Sequence, residues 1–202
     1  MGDPNKEKPK IGTNLVTFEN VNAGGDVVGG DKNEIQLVLP RPSQLDLLYD
    51  EYKEECEEQR LTNEFTEELT HYKNRKSEVR DLTQKLTEAG FDYLIDKAEE
   101  LKEVIAKLIV KFQHYKSAQK ALTFLLSEVE SLFNSEIKPR LTTANSEADV
   151  MKIFRDYLEC EIQDKLGANV FEIYYRQING MVYFLTGNCH LEWANAPVQQ
   201  SS

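Results

Sequence analysis

The chain is poor in cysteine, short of cations and free of long apolar runs, and each shortage removes a class of function. Its three cysteines, Cys56, Cys160 and Cys189, are odd in number and widely spaced, so no disulfide framework is expected and a reduced, cytoplasmic setting fits. No Cys-x-x-Cys or His-x-x-x-His spacing occurs, which leaves no recognisable metal-ligand pattern. Lys and Arg number 24 against 35 Asp and Glu, a formal net charge of −11. Phosphate contacts need clustered cations, so direct nucleic-acid binding is disfavoured, as is adhesion to an anionic membrane. No stretch approaches the roughly 18 apolar residues of a membrane span. The opening residues, Met-Gly-Asp-Pro-Asn-Lys-Glu-Lys-Pro-Lys, have charges but no apolar core of a secretory signal. Lys6 stands where the myristoylation pattern needs Ser or Thr.

What is present fits a soluble globular protein: 202 residues, 40% hydrophobic and 29% charged, enough for one good core. Glycine is scarce but concentrated, with four of the ten glycines in residues 24–33, Gly-Gly-Asp-Val-Val-Gly-Gly-Asp-Lys-Asn. This segment lies between two β-prone runs, residues 15–21 and 34–39. A phosphate cradle would need Lys followed by Ser or Thr at a helix start, whereas Lys32 sits between Asp31 and Asn33 and a strand pattern follows. A calcium loop would need more oxygen ligands than Asp26 and Asp31. The favoured reading is a glycine-rich β-hairpin or β-arch over residues 14–39. Its residues Gly25, Asp26, Val27, Val28, Gly29, Gly30, Asp31 and Lys32 are candidates for pairing with another chain through an open strand edge.

After Pro40-Arg41-Pro42 the hydrophobic period changes from two to about 3.6, and the fold class reads as mainly α, a multi-helix domain over residues 43–193. Flexible tails are expected at 1–13 and 194–202. Ser43, with Asp46 in the first turn, opens an acidic helix expected to run to Tyr72, with Glu51, Glu54, Glu55, Glu57, Glu58, Glu64, Glu67 and Glu68 on its solvated faces. The same acidic faces are a candidate docking surface for a basic partner. Further helices are expected over 77–89, capped by Ser77 and closed by Gly90, over 93–115, over 117–137 stopping before Pro139, and over 146–166 from Ser146 to Gly167. For 170–178, helix and strand both fit, and 181–185 is a short, fully apolar run.

The chemistry-bearing residues are few. Cys189 and His190 are adjacent, and adjacent side chains seldom form a nucleophile–base dyad; no third, orienting group is identifiable. As metal ligands they would need two more donors, while His71, His114, Cys56 and Cys160 fall on separate helices. The favoured reading is a small buried thiol and a hydrogen-bonded structural imidazole, with an enzyme or metalloprotein centred on this pair as the alternative. Carboxylates are too numerous for any pair to stand out as catalytic. Trp193, the single tryptophan, reads as the plug of the core. No cofactor is implied.

One motif carries a family resemblance. Gly180-Met-Val-Tyr-Phe-Leu-Thr186-Gly187-Asn188-Cys189-His190-Leu-Glu-Trp193 resembles the C-terminal-domain components of bacterial ABC-three-component systems, which are conflict or anti-phage systems. Leu48-Tyr-Asp-Glu-Tyr-Lys-Glu-Glu55 resembles that family's first helix, Asp96-Lys-Ala-Glu-Glu-Leu-Lys-Glu103 a middle helix, and Ser117-Ala-Gln-Lys120 the start of the next. The Gly-Asp-Val-Val-Gly-Gly-Asp-Lys segment resembles a glycine-rich β-element at the front of such proteins. The resemblance implies a non-enzymatic sensor, adaptor or effector-recruiting partner that works with an SMC- or ABC-type ATPase and often a small middle component; self-assembly is expected separately, from the open strand edge. It brings no catalytic residue. Thr186, Gly187, Asn188, Cys189, His190 and Trp193 are its signature, either structural or part of a partner interface.

Overall fold

The computed structural model describes residues 42–74 and 80–194. The glycine-rich segment 14–39 with its candidate pairing residues, the tail 1–13, Ser77, Val79 and residues 195–202 lie outside the described residues. Among the described residues the secondary structure is helical, with no strand.

Helix α1 (Gln44–Glu57) begins where expected. Ser43 Oγ accepts the Asp46 N–H at 3.1 Å and the Asp46 carboxylate accepts the Ser43 N–H at 3.0 Å, a reciprocal capping box. The Ser43 hydroxyl and N–H hold the Asp46 carboxyl below its usual range. The long acidic helix expected over 43–72 is instead two helices. Helix α1 ends at Glu57, Gln59 takes a left-handed φ of 53°, and α2 (Glu67–Lys73) restarts at its cap Thr66. The reason lies on helix α5 (Lys116–Leu132). Gln119 accepts the Thr66 N–H at 2.7 Å and donates to Glu64 O at 3.0 Å, so a side chain satisfies backbone groups that a continuous helix would have paired internally.

Helix α3 (Leu82–Glu88) is capped by Asp81 with Gln84, not by Ser77. Asp81 supplies both the acceptor for the Gln84 N–H and the partner N–H that a capping box requires. Gly90 closes α3 in a left-handed conformation (φ 80°), with Gly90 N–H on Thr87 O (3.0 Å) and Phe91 N–H on Leu86 O (2.8 Å), a Schellman motif. A 3-10 turn, Asp92–Leu94, leads into α4 (Ile95–Phe112), which buries Ala98, Leu101, Ile105, Ile109 and Phe112 at helical spacing.

Proline does not stop the fourth rod as expected. Helix α5 widens into a π turn, Phe133–Ile137, and resumes as α6 (Lys138–Leu141) with Pro139 in its first turn, where a missing N–H costs least. Helix α7 (Glu147–Phe154), capped by Ser146, passes through a second π turn, Arg155–Glu159, into α8 (Cys160–Lys165), and Gly167 (φ 53°) follows it. Residues 168–174 form neither helix nor strand. Asn169, itself left-handed, holds them by exchanging hydrogen bonds with the Ile173 backbone, both at 2.9 Å.

The apolar run 181–185 is the middle of the central helix α9 (Tyr175–Gly187), and every residue from Ile178 to Gly187 is buried. Its closest neighbour is α4, with α5 and α3 beside it. Gly180 makes that approach possible, since a Cβ there would stand 2.8 Å from Leu101 O. On the other side of α5 lie α1 and α2. No described helix is long and apolar enough to cross a membrane.

Candidate functional site

The signature residues sit together at the end of α9, and their hydrogen bonds run inward. Asn188 caps the helix and Cys189 takes a left-handed φ of 64°. Cys189 N–H donates to Thr186 O at 3.1 Å and His190 N–H to Leu185 O at 2.8 Å. This is the same Schellman closure that Gly90 makes for α3, with cysteine in the position that normally favours glycine. Gly187 packs under Lys102, whose Cε would lie 3.1 Å from an added Cβ.

Past the turn, the chain is pinned to α3. Lys85 is almost fully buried, and its ammonium reaches Thr186 O (3.2 Å), Leu191 O (2.9 Å) and Glu192 Oε1 (2.9 Å), which uses all three of its donors. Arg80 bridges Glu192 Oε2 at 3.0 Å and Glu88 Oε2 at 2.9 Å, completing a chain of charges over α3. Trp193 is buried as expected. Its Nε1–H donates to Thr186 Oγ1 at 2.9 Å, and Thr186 Oγ1 in turn donates to Val182 O at 2.8 Å. The indole stacks on Tyr183 (5.9 Å, 10° between planes) and meets Phe91, Phe133 and Phe154 edge-on or tilted. Both π turns therefore border the plug: Phe133 opens one and Phe154 immediately precedes the other.

Cys189 and His190 point to different neighbours. The Cys189 thiol donates to Arg80 O at 3.5 Å, while the His190 ring lies 5.1 Å from both His71 and Tyr72. Asn188 Nδ2 donates to Tyr72 O at 3.0 Å and so fastens α2 to the same turn. Cys56 and Cys160 are exposed on α1 and α8, and His114 Nδ1 lies 3.0 Å from Thr62 O. Among the described residues, no group of three or more His, Cys, Asp and Glu is placed to hold a metal ion.

A groove runs along α5 between α1 and α2 and encloses about 770 Å³. Leu48 from α1, Phe65 from the connecting loop and Phe124 from α5 are the apolar members of an otherwise polar and charged lining. The loop is braced from beneath: Gln119 is buried and also donates to Gln113 O at 2.6 Å, and Thr62 N–H donates to His114 O at 2.9 Å. Lys73 rests its ammonium 3.0 Å from the centre of the Phe65 ring. Glu55 departs from the solvated face expected of it. It is buried, and its carboxylate accepts the Ser117 hydroxyl at 2.6 Å and the Ser117 N–H at 3.2 Å, satisfying the start of α5.

Residues 81–193 match the family described as C-terminal domain 9 of the ABC-three component (ABC-3C) systems. The chain belongs to this family. The match covers more than half of the chain, opens on the α3 cap Asp81 and closes on Trp193, so it takes in the Lys85 latch and the whole signature. No curated protein and no solved structure matches the chain. Sequence reading missed Lys85, Gln119 and Glu55 as organising residues. The available signal was position: Lys85 falls between Leu82 and Leu86 on the inward face of α3, where a cation needs buried acceptors.

Proposed function

We propose that this chain is a non-catalytic interaction component of a bacterial anti-phage defence system, a cytoplasmic adaptor that works beside an SMC/ABC-type ATPase and, where present, a small middle component. The observation that carries the reading is membership of a domain family described as part of three-component ABC systems, which implies partner components. The signature supports it from the other side. Thr186, Asn188, Cys189 and Trp193 each make a bond to the chain itself, as residues do when they shape a scaffold. The acidic surface of α1 and α2 suits a basic partner, and the glycine-rich segment suits self-assembly by strand pairing.

Light scattering after size-exclusion chromatography, on the full chain and on a version lacking residues 1–40, tests self-assembly. Loss of a defined oligomer on truncation supports it, and a monomer in both samples refutes it. Elemental analysis and a phage challenge with Cys189→Ser and His190→Ala address the competing enzyme or metalloprotein. Stoichiometric zinc, or lost protection with the fold intact, would replace the adaptor reading.

A further inference from the structure

The groove over α5 opens at the surface of the domain. Its lining holds the half-buried rings of Phe65 and Phe124 and the edge of Leu48 from α1. Half-buried aromatic rings rimmed by polar side chains mark interaction sites. The groove is also preformed, because Gln119 clamps the loop that carries Phe65 through two hydrogen bonds, at 2.7 and 3.0 Å, and is itself fixed to Gln113 O at 2.6 Å. A preformed wall lowers the ordering cost of binding.

Charge narrows the occupant. On the α5 side Lys120 is paired with Glu51 at 3.8 Å and Lys116 is the one lining lysine without an ion pair among the described residues, while Lys73 is committed to the Phe65 ring. Across the groove, Glu64, Glu67 and Glu68 line the rim, and none of them is ion-paired with a Lys or Arg among the described residues. Elsewhere on this surface acids are neutralised locally, as with Glu54 and Glu58 by Arg60 and Asp50 by Lys53. Three unpaired acids face one unpaired lysine, so the rim carries a net acidic edge beside the Phe65 and Phe124 rings, the arrangement that recognises an amphipathic helix by its anchors and by one charged border.

Resting on the adaptor reading, we propose that this groove is the docking site for the partner ATPase component, and that it takes an amphipathic helix with apolar anchors over Phe65 and Phe124 and a Lys- or Arg-bearing edge against Glu64, Glu67 and Glu68. The occupant is a protein segment, and the groove sits apart from the signature turn that closes α9.

The experiment uses the full chain and the purified ATPase component of the same system, with affinity read by biolayer interferometry. Glu67→Lys combined with Glu68→Lys reverses the rim, and Ser127→Trp fills the trough from an exposed position on α5. Glu103→Lys with Glu161→Lys makes the same charge change on α4 and α8, away from the groove. Circular dichroism confirms that each variant is folded. Both groove variants are expected to weaken binding by roughly tenfold or more, with the control near wild type. Wild-type binding that all three variants retain overturns the groove assignment and leaves the adaptor reading standing. Equal weakening by the control and by the rim reversal, with Ser127→Trp unaffected, overturns the groove in favour of diffuse charge attraction. No wild-type binding refutes the adaptor reading itself, and the groove with it.

Discussion

Replacing Lys85 with methionine isolates the latch between α3 and the signature turn. Methionine keeps a flexible stem of similar length, so packing around it changes little and the ammonium is what is lost. Three charge-assisted hydrogen bonds go, each worth about 1.5–3 kcal/mol. Against that, an ammonium no longer has to be held out of water, which returns several kcal/mol. The acceptors fare differently. Thr186 O keeps the Cys189 N–H at 3.1 Å, and Glu192 keeps Arg80 at 3.0 Å and faces solvent. Leu191 O loses its ammonium donor inside the core, a penalty of about 1–3 kcal/mol. The net expectation is a loss of about 2–3 kcal/mol, or roughly 5–10 °C in Tm for a chain of this size. Urea titration followed by circular dichroism measures it, with Lys107→Met as reference. Lys107 is largely exposed and paired with Glu103 one helical turn away, so its removal should cost under about 0.5 kcal/mol. Equal stability of Lys85→Met and wild type would refute the claim that this buried cation organises the turn.

Other outcomes follow from the same geometry. Cys189→Gly should stabilise the protein by about 0.5–1 kcal/mol, because glycine accepts the left-handed φ of 64° without the Cβ penalty, and phage protection should persist; lost protection in a more stable fold would argue for thiol chemistry. Gly180→Ala should cost about 2 kcal/mol or more in denaturant titration, since the nearest obstacle at 2.8 Å is the backbone carbonyl of Leu101 and cannot rotate away; a neutral result would contradict the close α4–α9 packing. Burial, and then the Asp46 charge, pushes the Tyr49 phenol up to about 12 from an ordinary value near 10. Above pH 10 the unfolded chain ionises this phenol first and binds fewer protons, so stability should fall from pH 10 to 12. Tyr49→Phe should make that fall shallower while leaving neutral-pH stability intact, because the Tyr49 hydroxyl is buried without a hydrogen bond; an unchanged alkaline slope would count against it.

Local signals in the sequence were legible wherever one side chain decides the outcome. Ser43 with Asp46, Ser146 with Asp149 and Gly90 mark their helix ends in sequence and in structure alike. The apolar stripe of α4 is read directly from its period. Signals failed where a distant residue intervenes. The break between α1 and α2 depends on Gln119, more than fifty positions away, and the burial of Glu55 depends on Ser117 at the start of α5. Pro139 misled because a π turn precedes it and lets the rod continue. Helix α9 was hard to place because every residue from Ile178 to Gly187 is buried, so its apolar run 181–185 has no polar face to show its period. The signature itself was visible as a motif, but its physical content was not. Only the folded chain brings Lys85 to Leu191 and Glu192, and turns Cys189 into the left-handed residue of a helix cap.

The central claim is that this member of the ABC-3C domain family acts by docking to its system's ATPase. Size-exclusion chromatography with light scattering on an equimolar mixture of the two full-length proteins tests it most directly. The account predicts a single co-eluting species whose mass is a sum of whole subunits of both. Two separate peaks, each with the mass of its component alone, would contradict it.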